Sequence, residues 1–84
     1  MTRQEVQSIL AEENPEALFY DGFDEAIIGI ARRSGMAVVA YDQNRCYQKL
    51  IADGMSFEEA ADYFEFNVIG SYLGEHTPVF VDFS

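Results

Sequence analysis

The chain has 84 residues, with no tryptophan, one cysteine, one histidine, two prolines and only five positively charged side chains. Each shortage excludes something. A single Cys forms no intrachain disulfide, and one Cys with one His makes no Cys/His zinc site. Five cations against fifteen acids, a net charge of −10, argue against a protein that grips a DNA or RNA backbone, because such proteins neutralise phosphates with Lys and Arg. The same balance argues against an anionic membrane surface. No apolar run approaches the ~18 residues of a membrane span, and no basic-then-apolar signal peptide is expected at the start. The expected location is therefore the cytoplasm.

What is present is material for a core. The chain is 49% hydrophobic and 14% aromatic, too apolar for a disordered segment. Its length suits one domain, 1–84, since a typical domain holds roughly 100–150 residues.

The charge is not spread evenly. Residues 1–25 carry Arg3 against seven acids, a balance of −6, and residues 26–49 carry Arg32, Arg33, Arg45 and Lys49 against Asp42, a balance of +3. Residues 50–84 carry seven acids and no Lys or Arg, a balance of −7. A small basic zone between large acidic surfaces is expected. Such charge keeps a small protein soluble. It also suits an acidic face that meets a basic partner or imitates a nucleic-acid backbone.

The spacing of apolar residues predicts an α+β domain of order ααβααβ, four helices on a two-stranded sheet. Thr2-Arg3-Gln4-Glu5 is a capping box followed by Val6, Ile9 and Leu10 on one stripe, and Asn14-Pro15 should stop that helix. A second helix is predicted from an Asp21 cap. Phe23, Ala26, Ile27, Ile30 and Ala31 form its buried face, Arg32 and Arg33 its last turn, and Gly35 ends it. Met36–Tyr41 is apolar at every position and reads as a strand covered on both faces, or at least central. Asp42 caps a third helix, Gln43 to about Ala52, with Cys46, Tyr47, Leu50 and Ile51 inward. Ser56-Phe57-Glu58-Glu59 is a second capping box, with Met55 at the hydrophobic-staple position. The fourth helix should run from Phe57 to about Leu73 with Gly70 inside it, and Val79–Phe83 is the last strand. Whether the two strands pair parallel or antiparallel stays open.

Few residues invite catalysis. His76 reads as a loop residue and Cys46 as a small core hydrophobe. No spacing implies a nucleophile with its base. Glu58, Glu59, Asp62 and Glu65 are paired at i, i+3 or i, i+4, as a hard-cation site requires, but the same pattern describes a solvated face. No Gly-rich loop cradles phosphate. No catalytic, cofactor-binding or metal-ligating residue is assigned.

The fourth helix is more informative. At 100° per residue Phe57, Ala60, Ala61, Phe64 and Val68 gather on the core side. Phe66, Ile69 and Leu73 lie on the far side among Glu58, Glu59, Asp62 and Glu65, with Tyr63 at a flank. A helix apolar on both sides is covered by its own chain or by a partner. Leu50 to Ala61, followed by Asn67-Val68, also reads as the opening of a helix-turn-helix. A reader helix at Asn67–Leu73 without a single cation would be repelled by phosphate, so direct nucleic-acid binding is set aside.

Several clustered strings stand out. They are Asp21-Gly22-Phe23-Asp24 with Ala26-Ile27-Ile28-Gly29, Val38-x-Ala40-Tyr41-Asp42 with Cys46, Gly54-Met55 with Glu58-Glu59-Ala60, and Phe64 to Phe80 through Asn67-Val68, Gly70, Tyr72, Gly74-Glu75 and Thr77-Pro78. In these strings the chain resembles an uncharacterised family of small acidic proteins encoded by tailed bacteriophages. The resemblance implies a phage setting, hence the host bacterial cytoplasm, and no catalytic residues.

Two functional readings follow. The first is a non-catalytic accessory protein that binds and modulates a host or phage protein, a defence inhibitor or nucleic-acid mimic being one version. Its partner-binding residues would be Glu58, Asp62, Glu65, Phe66 and Ile69, its partner a protein with a basic surface, and it would need no cofactor. The second is a small-molecule-binding protein or small enzyme with a pocket between the second helix and the sheet, lined by Tyr20, Tyr41, Tyr47 and the Asp21–Asp24 turn. The apolar trio opposite the core stripe of the fourth helix also raises a homodimer, against which self-repulsion of −10 per chain argues.

Overall fold

The computed structural model describes residues 1–69 and 73–83. Helix α1 spans Arg3–Glu13 and opens on the expected capping box. The Thr2 hydroxyl accepts from the Glu5 N–H, and the Glu5 carboxylate accepts from the Thr2 N–H. Two orphan donors of the first turn are thereby satisfied. Val6 and Leu10, one turn apart, are its buried residues, and Asn14 caps its end before Pro15.

The next segment overturns the expected second helix. After a short 3₁₀ turn at Asp24–Ala26, Ile27–Arg33 form strand β1, which turns over Ser34-Gly35 into β2, Met36–Asp42. The strands are antiparallel, with Arg33 opposite Met36. Ser34 and Gly35 have φ of 54° and 79°, the paired left-handed residues of a type I′ hairpin, whose twist matches that of the strands. Gly35 therefore turns a hairpin instead of ending a helix.

A β-bulge explains the misreading. Ile27 lies opposite Tyr41 and Ile30 opposite Val39, with the register shifted between Ile27 and Gly29. Val39 and Tyr41 are two apart and share a face. Their partners Ile27 and Ile30 must share it as well, although they are three apart. One inserted residue has produced the i, i+3 spacing of a helix inside a strand. The β-branched Ile27, Ile28 and Ile30 favour the strand.

Strand β2 is central, as its unbroken apolar run predicted. Ala37, Val39 and Tyr41 enter the core cluster, and Val38 and Ala40, which point the other way, are buried too. Asp42 caps helix α2, Gln43–Ala52, by accepting from the N–H groups of Asn44 and Arg45. Helix α3 follows at Phe57–Phe64, and β3, Val79–Val81, returns parallel to β2 with Phe80 opposite Tyr41. Among the described residues the architecture is thus three helices and a three-stranded mixed sheet of order β1-β2-β3. The expectation of four helices on two strands was wrong because β1 had been counted as a helix. Both edges of the sheet discourage further strand pairing. β1 carries the bulge and two arginines, and β3 has only three residues.

The last expected helix also ends early. The α-helical ladder stops at Phe64, and Glu65–Ile69 form a π turn. Gly70, expected inside that helix, lies outside the described residues.

Candidate partner-binding surface

Helix α3 is fixed from within, and that fixes what it shows outside. The Ser56 hydroxyl accepts from the Glu59 N–H at 3.1 Å, and the Glu59 carboxylate accepts from the Ser56 N–H at 3.0 Å. The Ser56 backbone N–H first, and then the Ser56 side chain, hold the Glu59 carboxyl below its ordinary range. Ala60, Phe64 and Val68, spaced i, i+4, i+8, are all buried. The Phe64 ring meets Tyr47 of α2 edge-on at 5.1 Å and Phe80 of β3 at 4.8 Å. The Tyr20 hydroxyl donates to the Val68 carbonyl at 3.3 Å, pinning the π turn to the body of the protein.

The opposite side is left to solvent. Glu58, Asp62 and Glu65 are exposed, Tyr63 is 41% exposed and Phe66 is 78% exposed. The structure therefore places four of the expected partner-binding residues, Glu58, Asp62, Glu65 and Phe66, on the surface. Ile69 ends the π turn, and its side chain lies outside the described residues. Asp62 sits one turn from both Glu58 and Phe66, so the three form one strip. The question of what covers Phe66 and Leu73 has an answer. The last strand does not cover them, for Leu73 is 63% exposed as well. Phe57, expected in the core, is a correction. As the first residue of α3 it lies before the buried seam and is 61% exposed, its ring centre 5.9 Å from that of Tyr47 in an edge-on contact.

Electrostatics set this strip apart. Every cation of the protein is already engaged. Arg3 pairs with Asp21 and Asp24, Arg32 with Glu13, Arg45 with Asp42, and Lys49 with Asp53. Arg33 donates to the carbonyls of Gly74, Glu75 and Thr77. Among the described residues none forms an ion pair with Glu58, Asp62 or Glu65. Their charge is uncompensated within reach of their own helix.

The pocket of the second functional reading does not form where it was expected, because there is no helix at Ala26–Arg33 to wall it. Tyr41 is fully buried, with its hydroxyl taking the Tyr20 N–H at 2.9 Å, and burial pushes its phenol up to about 12. The Tyr47 ring is held between Phe57 and Phe64. A different depression, of about 350 Å³, lies between the Gly22-Phe23 turn and α2. Its two cations, Arg45 and Lys49, already face Asp42 and Asp53. Cys46 is a core residue, and burial first, then the Asp42 charge, raises its thiol to about 12, far from a reactive thiolate.

Sequence reasoning missed the polar fastening of the segment that leads into β3. Asn14 is buried. Its amide donates to the Ala37 carbonyl at 2.8 Å, meets His76 Nδ1 at 3.1 Å, and accepts from the Glu16 N–H. His76 Nε2 lies 3.3 Å from Glu16, and the His76 carbonyl accepts from the Leu18 N–H. These bonds hold His76 against the segment after α1, while Arg33 ties residues 74–77 to β1. The only sequence signal was Asn before Pro, which marks a helix end and says nothing of a partner sixty residues away.

The chain matches no protein-family model, no curated protein and no solved structure. Among the described residues no helix is long and apolar enough to cross a membrane.

Proposed function

We propose that the protein is a non-catalytic binding module whose exposed strip on α3 and the π turn engages a protein partner with a basic surface. The observation that carries this reading is Phe66, a large apolar ring 78% exposed on the same side as carboxylates with which, among the described residues, no cation forms an ion pair. Exposed aromatics surrounded by polar groups are the usual anchors of protein interfaces. Glu58, Asp62 and Glu65 would steer a basic surface into contact, an effect on association rate that salt weakens. In the tailed-phage setting that the sequence resembles, the module would act on a host or phage protein, and imitation of a nucleic-acid backbone by the acidic strip is one way it would do so.

The test is a parallel capture with tagged parent protein and a Glu58→Lys/Asp62→Lys variant, each checked for an intact melt. The reading expects a protein retained by the parent and released by moderate salt, and lost by the variant. Retention of the same partners by both forms would place the interface elsewhere.

A further inference from the structure

The molecule already holds one arginine between an aromatic ring and carboxylates. The Arg3 guanidinium carbon lies 4.6 Å from the centre of the Phe19 ring. Its Nη1 group is 3.1 Å from Asp24 and 3.5 Å from Asp21. A phenyl face and two carboxylates thus hold one guanidinium. On the outer side of α3 and the π turn, Phe66 follows Asp62 by four residues and Glu58 by eight, all three exposed, so an aromatic ring and carboxylates are again offered together.

We propose that this strip recognises arginine in particular, a partner guanidinium stacking on the Phe66 ring while Asp62 accepts its N–H groups and Glu58, a further turn away, adds to the attraction. The inference rests on the reading that the strip meets a basic partner, and it names the side chain through which it does so. Arginine fits better than lysine for two reasons. Its planar guanidinium stacks on an aromatic face, and its fork of donors can serve a carboxylate at the same time. A lysine ammonium is a compact, strongly hydrated charge that gives up more water to lie on a ring. A second copy of this chain is a poor occupant, because the same strip on two copies sets Glu58, Asp62 and Glu65 against themselves.

The experiment uses the full chain with two probes of equal charge, nona-arginine and nona-lysine peptides, titrated at low salt. Three forms are compared: the parent, Phe66→Leu, and Glu58→Gln/Asp62→Asn. The parent should prefer the arginine peptide by about two- to fivefold, the range of an exposed cation–π contact. Phe66→Leu should remove most of that preference and leave lysine-peptide binding unchanged, whereas Glu58→Gln/Asp62→Asn should weaken both peptides. An arginine-to-lysine ratio that is the same in the parent and in Phe66→Leu overturns the arginine inference and leaves the basic-partner reading standing. Failure of both peptides to bind, or binding indifferent to Glu58→Gln/Asp62→Asn, overturns both.

Discussion

Helices α2 and α3 follow one another in the chain, each opened by a side-chain cap and each buried along one seam where Tyr47 meets Phe64. Their outer faces differ. On α2, Arg45 lies 3.6 Å from Asp42 and Lys49 2.7 Å from Asp53, so charge cancels locally. On α3 and the π turn, Glu58, Asp62 and Glu65 face solvent with no ion pair among the described residues, and Phe66 is exposed on the same side. The difference teaches that the inner seam decides folding here. Exposed ion pairs contribute only ~0–1 kcal/mol, so α3 can dispense with them at little cost to stability. Its outer face is then free to be shaped by something other than the fold.

The comparison can be broken from the inside first. Phe64→Ala removes the ring that joins α3 to α2 and β3, and should cost about 3–5 kcal/mol. Denaturant unfolding would show that as a large fall in midpoint, and a domain of this size has little more stability to lose. A cost under about 1 kcal/mol would mean that α3 is not held by this seam.

Next come the caps. Ser56→Ala leaves the first turn of α3 with an orphan donor and should cost about 1 kcal/mol. Asp42→Ala removes the equivalent cap of α2 and also the partner of Arg45, so it should cost at least as much. The reverse order would show that local charge pairing on α2 adds nothing.

A smaller effect is expected from pH. Glu59 has a lowered folded-state pKa, because it accepts the Ser56 N–H when ionised. A group lowered by folding contributes stability above its unfolded value, and that stability is lost as pH falls through the folded value. The capping of α3 should therefore be intact at neutral pH and fade below the ordinary glutamate range. Glu59→Gln should flatten that part of the melting temperature against pH. A parent and variant with parallel curves would remove the capping carboxylate from the account.

Much of this was legible in the residues. The two capping boxes, the Asp42 cap and the central strand were readable because each depends on neighbours within four positions. The membership of the strip was readable too, since Glu58, Asp62 and Phe66 fall on one side by spacing, but whether the chain itself covered Phe66 was not. What failed had a specific cause each time. At Ile27–Ile30 the bulge reproduced helical spacing, and a bulge is set by pairing with β2, which no local window contains. At Glu65 the π turn ended the α ladder, although the apolar pattern continued. Phe57 fitted the core stripe by angle, but the seam begins one turn later, at Ala60. The fastening of His76 to Asn14 joins residues sixty-two apart, beyond any reading of periodicity.

The most direct test of the central claim is Phe66→Ala, with its melt and its binding to a captured partner measured on the same preparation. The account predicts a stability change within ~0.5 kcal/mol, as for a surface site. It also predicts a complex that dissociates faster, by the equivalent of 2 kcal/mol or more if Phe66 is an interface anchor, roughly thirtyfold. A lowered melting temperature with an unchanged dissociation rate would contradict it, and would make Phe66 part of the fold instead of part of the surface.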